Sequence, residues 1–365
     1  MIEAHFGETA PFSVGVEEEL MVLDGETLAL APRAADLIAA SADRHLPGTL
    51  KSELFASALE LNTGICESAD EAADSLAGLR RDAAELAEAR GLRLAAAGSH
   101  PISRPEEQEI ADEARYAEFV EYAGVSARRQ GVSGLHVHVG MESSEACFHA
   151  LEGVLPWLPV VLALSVNSPY LAGEETGLMS NRAEVLAQLP RSGAPPAFTS
   201  YEDWEEFIDR FVRLGMAAEY TRFWWDVRPH PRFGTLEVRM PDQPTALERT
   251  VGFTGLLQAL CAHFAEAGDG DPADRGVYQQ NRWAALRYGA DAELLHPVED
   301  RTAPVAETAG ELLEVLAATL EELGTAEPVA RLAEGDPEGR RQLEIGQGQG
   351  LDAVTADVIE RTLGS

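Results

Sequence analysis

Residues 12–21 alternate apolar and ionisable side chains, and this alternation is typical of a β-strand with two unlike faces. The apolar face consists of Phe12, Val14, Val16 and Leu20. Glu17 and Glu19 share the opposite face, where two close carboxylates need a positive partner, and a divalent cation is the simplest candidate. Glu18 falls on the apolar side, so we expect it at a sheet edge or in a salt bridge, and not on a metal.

The same alternation recurs around Glu60. In a strand, Glu60 and Asn62 face away from the neighbouring leucines, and Glu53 precedes them in a turn or at a helix end. A merely exposed polar strand face explains this segment equally well. It is therefore a candidate metal-binding wall only in combination with other segments.

Two histidines, His136 and His138, share one face of a third predicted strand. Leu135, Val137 and Val139 form the other face. Two imidazoles ~6–7 Å apart along a strand can chelate one metal ion or contact the phosphates of a ligand. Such a pair also occurs in strands without any functional role.

The segment 224–240 is predicted to form a strand, a loop and a second strand. Its polar side chains are Asp226 and Arg228 on the first strand, His230 and Arg232 in the loop, and Thr235, Glu237 and Arg239 on the second strand. A structural salt bridge between Glu237 and an arginine is the alternative to a ligand-binding role.

Composition excludes several classes of function. The net charge of −34 argues against nucleic acid and anionic membranes as partners, because phosphates are bound by basic clusters. Arginine outnumbers the only lysine, Lys51, by 27 to 1, and no lysine-bearing phosphate loop is present. The three cysteines are far apart, which disfavours a disulfide framework or a zinc knuckle. With no signal segment and no run of ~18 apolar residues, we expect a cytoplasmic protein.

Helical and strand patterns alternate along the chain. Helices are predicted at 33–42, 68–90, 105–122, 145–167, 201–218, 246–265, 310–323 and 352–363. Strands are predicted at 12–23, 57–62, 93–97, 135–141, 224–228 and 235–240. Two acidic segments with glycine and proline, 268–272 and 326–341, are predicted to be loops. Half-polar strands scattered between helices favour an α+β fold, a mainly antiparallel sheet with helices on one face, in a single domain over 1–365.

If the amphipathic strands share one sheet, their polar faces form a single cup in which carboxylates and arginines are interleaved. A carboxylate-rich cup that holds Mg²⁺, with arginines for phosphate or a substrate carboxylate, is the composition expected of a nucleotide-dependent transferase. A purely structural strand face concentrates fewer charges.

The ordered set of motifs resembles the carboxylate–amine ligases of the glutamate–cysteine ligase type 2 family over nearly the whole chain. The matching pieces are Gly15-Val16-Glu17-Glu18-Glu19, Glu53 with Leu59-Glu60-Leu61-Asn62-Thr63, Ser133 to Gly140, Asn167-Ser168-Pro169-Tyr170, Thr176-Gly177 with Ser180-Asn181-Arg182, Trp225-Asp226-Val227-Arg228, Gly234 to Arg239, and Asn281-Arg282-Trp283 with Arg287-Tyr288-Gly289.

This resemblance implies a cupped antiparallel sheet backed by helices, ATP with Mg²⁺, and an acyl-phosphate mechanism that joins a carboxylate, expected to be glutamate, to an amine such as cysteine. It implies small-molecule substrates and is consistent with a homodimer. It places the metal at Glu17, Glu19, Glu53, Glu60, His136 and Glu237. It gives catalytic roles to Arg182, Arg239 and Glu237, and nucleotide contacts to His136, His138, Arg228 and Arg232.

Two other functions remain open from the sequence. A metal-dependent hydrolase would use His136, His138 and the carboxylates on a transition metal. A non-catalytic relative would keep the fold and bind ligands without turnover.

Overall fold

A computed structural model describes residues 2–267 and 272–364. Its main sheet has seven antiparallel strands in the order β2-β3-β1-β5-β9-β8, with β4 paired to β1. These strands are β1 (Val14–Asp24), β2 (Gly48–Ser52), β3 (Ala58–Thr63), β4 (Leu92–Ala95), β5 (Leu135–Gly140), β8 (Val227–His230) and β9 (Thr235–Val238). Two small hairpins pair β6 (Tyr170–Leu171) with β7 (Glu174–Glu175), and β10 (Glu293–Leu295) with β11 (Thr302–Pro304).

Strand β1 is the centre of the sheet because it pairs with three other strands. Its first half pairs with β5, its middle with β3 and its last residues with β4. The predicted alternation is confirmed, since Val14, Val16 and Leu20 are buried beneath the helices. The α+β fold, with helices on one face of an antiparallel sheet, is likewise confirmed.

The helices that cover the apolar face are α2, α5 and α9, which pack on the sheet and on one another. In chain order, the helices are α1 (Ala34–Ser41), α2 (Ala69–Glu88), α3 (Ala114–Ala123), α4 (Val125–Arg128), α5 (Ser144–Val154), α6 (Leu158–Ser165), α7 (Asn181–Leu186), α8 (Tyr201–Arg213), α9 (Leu247–Ala267), α10 (Arg275–Tyr288), α11 (Val305–Glu322), α12 (Ala326–Glu334), α13 (Glu338–Gln349) and α14 (Leu351–Thr362).

Helix α2 shows how local sequence sets an element. It begins where the Ser68 side chain accepts a hydrogen bond from the Glu71 amide, and it stops shortly before Gly91, whose φ is +69°. Its predicted apolar stripe, which includes Leu76, Leu79 and Ala83, is buried in the largest core cluster.

Four sequence predictions of secondary structure are wrong. The strand predicted at 224–228 lies at Val227–His230, so His230 belongs to β8 and not to the loop. Instead of one helix over 105–122, a 3₁₀ turn at Pro105–Glu107 and the α-helix Ala114–Ala123 are separated, because residues 109–111 pair in extended form with residues 54–56. The helix over 145–167 is divided by a 3₁₀ turn at Leu155–Trp157, where Pro156 supplies no amide hydrogen. The segment 326–341, predicted to be a loop, instead contains α12, and residues 338–341 form the start of α13. The predicted loop 268–272 falls largely outside the described residues.

Among residues 2–267 and 272–364, one helical stretch, Ser144–Ser165, is long and apolar enough to cross a membrane by length and composition. Within its most apolar window, 78% is buried inside the protein. The helices of a protein core pass the same test, so the stretch is weak support for a membrane span.

A buried ion pair joins the central strand to the helical layer. Glu18 lies on the apolar side of β1, and its carboxylate receives Arg80 of α2 at 2.6 Å (Nη2 to Oε1) and 2.8 Å (Nε to Oε2). The Glu18 side chain is 0% exposed. Arg80 also donates to the carbonyl oxygens of Pro244, Thr245 and Thr362. The salt-bridged alternative for Glu18 is therefore confirmed.

We expect Arg80→Met to lower the free energy of unfolding by about 3–5 kcal/mol, because the Glu18 carboxylate would stay buried without its cation. Urea denaturation measures this change. The matched control is Arg33→Met, whose exposed partner is Asp36 and whose loss costs about 1 kcal/mol or less. A loss below about 1 kcal/mol in Arg80→Met would show that the pair is not needed for stability.

Candidate active site

The open face of the sheet carries three rows of polar side chains, because strand register places them opposite one another. Along each row, neighbouring residues belong to adjacent strands and point to the same side. The first row is Lys51, Glu60 and Glu19; the second is Asn62, Glu17 and His136; the third is His138, Glu237 and Arg228.

Together with Glu53, which follows β2, these rows supply two groups of ionisable side chains that are tight enough to hold a metal ion. One group is Glu19, Glu53 and Glu60, and the other is Glu17, His138 and Glu237. In each group, one ligand atom per residue lies within 4.8 Å of the others. Five of the six side chains are carboxylates, the donors that Mg²⁺ prefers.

The first group has a shortage of positive charge. Burial, together with the charges of Glu60 and Glu19, raises the pKa of Glu53 well above its usual range. Burial also raises the pKa of Glu60, and the charge of Glu17 adds to that effect. Lys51, the only lysine of the sequence, does not supply this charge directly. Its Nζ lies 3.9 Å from Glu60 Oε1 and donates a hydrogen bond to Asn62 Oδ1 at 2.8 Å. Crowded carboxylates of this kind fit a divalent cation.

The second group is held by arginines. Arg228 donates to Glu237 at 2.5 Å and 3.2 Å, and Arg239 contacts the same carboxylate. Burial opposes ionisation of Glu237, yet these two guanidinium groups hold its pKa well below the usual range. Burial also opposes ionisation of Glu17, whose hydrogen bond to His136 and nearby histidines hold its pKa at about 2. Both carboxylates are therefore anionic at neutral pH.

The structure places the two predicted histidines differently. His138 Nε2 lies 3.7 Å from Glu17 and 3.9 Å from Glu237, within the second group. His136 lies between the groups, with Nδ1 3.2 Å from Glu17 and Nε2 3.8 Å from Glu19. Burial and Arg239 lower the pKa of His136 to about 4, so it is a neutral ring at pH 7.

Arg182 reaches the site from the first turn of α7. It donates to the carbonyl oxygens of Arg239 at 2.9 Å and Met240 at 3.2 Å, and its charge acts on Glu19. Gly134 makes room for this guanidinium, since a Cβ at Gly134 would lie 2.0 Å from Arg182 Nη2. Position 134, two residues before His136, is therefore occupied by glycine because the Arg182 side chain passes against its backbone.

A cavity of about 400 Å³ opens on this polar face. It brings together all but one of the predicted site residues: Glu17, Glu19, Glu53, Glu60, His136, His138, Arg182, Arg228, Glu237 and Arg239. The first cavity has a second wall that the sequence analysis missed, formed by Leu54, Tyr116, Phe119, Leu186, Leu189, Arg222 and Trp224. Apolar residues of helices and turns carry no signal that separates a cavity wall from ordinary core.

The remaining predicted residue, Arg232, lines a second cavity of about 550 Å³. Its side chain is 58% exposed and lies 3.4 Å from Glu219. Lys51 also lines this second cavity, and its side chain is 51% exposed. Glu17 and His138 border both cavities, so the two meet at the second group of ligands.

The family model of glutamate–cysteine ligase family 2 matches residues 13–347. The chain belongs to this family. A Rubrobacter xylanophilus protein named "Putative glutamate--cysteine ligase 2-3" is 42% identical over 324 residues, which cover 88% of each chain. A second protein of that organism, "Putative glutamate--cysteine ligase 2-1", is 37% identical over 358 residues, covering 96% of this chain and 95% of the relative.

Solved structures agree on the fold of this family member. Glutamate–cysteine ligase from Francisella tularensis, in complex with AMP, superimposes with a TM-score of 0.72 at 14% identity, covering 97% of this chain and 89% of that one. A bifunctional glutathione synthetase from Pasteurella multocida gives 0.68 at 16% identity, covering 96% of this chain and 52% of that one. The predicted family and fold are thus confirmed, and the membership supports a ligase.

We expect Mg²⁺ to raise the melting temperature, and to raise it more at pH 8 than at pH 6. The raised pKa values of Glu53 and Glu60 mean that protons compete with the cation, so binding strengthens as pH rises. In the absence of a cation, protonated Glu53 and Glu60 contribute to the stability of the folded protein at low pH. This contribution is lost as pH rises through the pKa values that the two carboxyl groups have in the folded protein.

The comparison of Glu53→Gln with Glu118→Gln, an exposed control on α3, tests this expectation by differential scanning fluorimetry. Glu53→Gln should lose most of the Mg²⁺-dependent increase, because one ligand charge is removed. The control should respond as the unmodified protein does. Equal responses in both variants would remove Glu53 from the metal site.

Proposed function

We propose that this chain is an ATP-dependent carboxylate–amine ligase that activates a carboxylate, expected to be glutamate, as an acyl phosphate and releases ADP and phosphate. The observation that carries the proposal is the pair of metal-binding groups side by side on one sheet face, bordered by Arg182, Arg228 and Arg239. Phosphoryl transfer to a carboxylate requires positioning and charge neutralisation more than covalent help from the protein. The family supports the same reaction class.

The crowded carboxylates of the two groups fit Mg²⁺, because they bring several anionic oxygens close together. Glu19, Glu53 and Glu60 would hold one ion, and Glu17, His138 and Glu237 another. Bound there, Mg²⁺ supplies Lewis-acid neutralisation of phosphate oxygens. His138 would thus be a metal ligand. His136 would instead be a neutral ring that orients Glu17 through their hydrogen bond.

The second cavity suits the nucleotide. In a chain of net charge −34, Lys51 and Arg232 put two largely exposed cations on its walls. By contrast, two of the arginines that line the first cavity are tightly engaged: Arg228 by Glu237, and Arg182 by backbone carbonyl oxygens. Triphosphate in the second cavity would reach the ligand group of Glu17, which both cavities share.

The first cavity then receives the acid and the amine. Arg182 and Arg239 would bind the donor's carboxylate or the phosphate it accepts, since Arg182 is buried and Arg239 half-buried beside the carboxylates. Arg228 and Arg239 keep Glu237 ionised and fixed. Once the carboxylate is phosphorylated, the amine attacks the carbonyl carbon, the C–O bond to phosphate breaks, and an amide forms with loss of a proton.

We further propose that the chain works as a single domain over 1–365. The largest hydrophobic cluster supports this, because its buried residues run from Val14 to Leu332 and link the sheet with helices α1, α2, α5 to α7 and α9 to α12.

The direct test is ADP release with ATP, Mg²⁺, glutamate and a panel of amines. Glu17→Gln and Glu60→Gln should lower kcat/KM about 10²–10³-fold, because each removes transition-state electrostatic stabilisation. The Glu118→Gln control should leave turnover unchanged. If Glu60→Gln retained full activity, the site assignment would be wrong.

Metal analysis separates the ligase from the metal-dependent hydrolase. The specific observation behind the hydrolase is the His138-containing group, since imidazole with two carboxylates also suits iron or zinc. We expect purified protein to bind Mg²⁺ reversibly and to hold no stoichiometric transition metal. Stoichiometric zinc or iron in the purified protein, together with no ADP release for any amine, would contradict the ligase proposal.

A further inference from the structure

The second wall of the first cavity forms an aromatic and aliphatic chamber, which we call the aromatic chamber. Its side chains are Leu54, Tyr116, Phe119, Leu186, Leu189 and Trp224, and they belong to one hydrophobic cluster. The chamber adjoins the Glu19–Glu53–Glu60 group, because Leu54 follows Glu53 directly in the chain. It therefore opens toward the atoms at which the acyl phosphate would be formed.

The aromatic rings of the chamber are fixed. Phe119 and Trp224 lie 5.3 Å apart between centroids at an interplanar angle of 38°. The Tyr116 hydroxyl donates to the Ser52 carbonyl oxygen at 2.7 Å, so the tyrosine offers the chamber its ring and not its polar end. Fixed, tilted rings of this kind contact a large flat or branched side chain well.

One charged group stands at the edge of the chamber. The Arg222 guanidinium lies 5.8 Å from the centroid of the Phe119 ring. Among the residues that the structure describes, no hydrogen bond or ion pair gives this half-buried guanidinium an acceptor. Arg191 holds the backbone beneath it through two donors to the Arg222 carbonyl oxygen, each at 3.2 Å. Arg222 is thus a positioned cation that fits a ligand carboxylate.

We infer that the acceptor of this ligase is an amino acid with a large apolar side chain, best an aromatic one, rather than cysteine. Its side chain lies in the aromatic chamber, its carboxylate binds Arg222, and its amino group faces the carboxylate donor. The inference rests on the proposed function and names its second substrate. A cysteine side chain is too small to contact six apolar residues, so it would leave most of the chamber unfilled.

The first test uses the unmodified protein with ATP, Mg²⁺ and glutamate held constant. Phenylalanine, phenethylamine, cysteine and cysteamine are compared as acceptors by ADP release and by mass spectrometry of the amide product. The expected kcat/KM for phenylalanine exceeds that for cysteine by at least about 10-fold. Higher kcat/KM for cysteine would overturn the inference and leave the proposed function intact. No ADP release with any acceptor would overturn the proposed function instead.

Variants test the chamber itself. Leu186→Trp, which fills it, should lower kcat/KM for phenylalanine at least about 10-fold and change that for cysteine less than about 2-fold. Trp224→Ala should raise the KM for phenylalanine while the KM for ATP stays constant. The control is Val125→Ala, an exposed apolar residue of α4 outside the cavity lining. A rise in the KM for ATP alone would place the nucleobase in the chamber and overturn the inference.

Arg222 has its own test. Arg222→Met should raise the KM for phenylalanine about 10-fold and leave that for phenethylamine unchanged, because only phenylalanine carries the carboxylate. Arg222→Lys should restore part of the loss. Arg129→Met, which removes an exposed arginine paired with Glu106, serves as the control. Equal losses for both amines would show that Arg222 does not bind the acceptor carboxylate.

Discussion

The fold of this ligase-family protein depends on one ion pair on the covered face of its central strand. The Glu18 carboxylate has no exposed surface, and besides Arg80 it accepts hydrogen bonds from Gln243 and Thr250. Through these partners it joins β1 to α2, to α9 and to the turn after β9. A buried charge that is satisfied on every side fixes one arrangement of its neighbours, since any other leaves it unpaired.

The same pair indirectly sets the position of the candidate metal ligands on the other face. Glu18 lies between Glu17 and Glu19 in sequence, so holding its side chain inward holds both neighbours outward. Gln243 strengthens this effect, because its side-chain Nε2 donates to Glu18 and its side-chain Oε1 accepts a hydrogen bond from the Glu19 backbone N–H. The three consecutive glutamates therefore have different roles. Glu18 binds Arg80, whereas Glu17 and Glu19 face the first cavity.

Strand periodicity explains why so much of the site could be predicted. A period of two decides which face a residue occupies, and this was enough for Glu17, Glu19, Glu60, Glu237 and both histidines. Periodicity could not show which of the two histidines lies in the group with Glu237, because His136 and His138 share a face. Only the strand register, which pairs His138 with Glu237, distinguishes them. The aromatic chamber was missed because Tyr116 and Phe119 follow a pattern that also fits an ordinary helix core. Helix α12 was missed because burial of Val329 and Leu332 outweighs a local composition typical of loops.

The position of Lys51 makes this protein unusually easy to observe. It contains the only lysine side chain in 365 residues, and that side chain borders the second cavity beside Asn62. Isotope-labelled lysine would therefore give a single residue-specific resonance, located in the wall of the site and free of overlap. We expect the signal of this lysine to shift when the second cavity is occupied, and no other lysine contributes background to the spectrum.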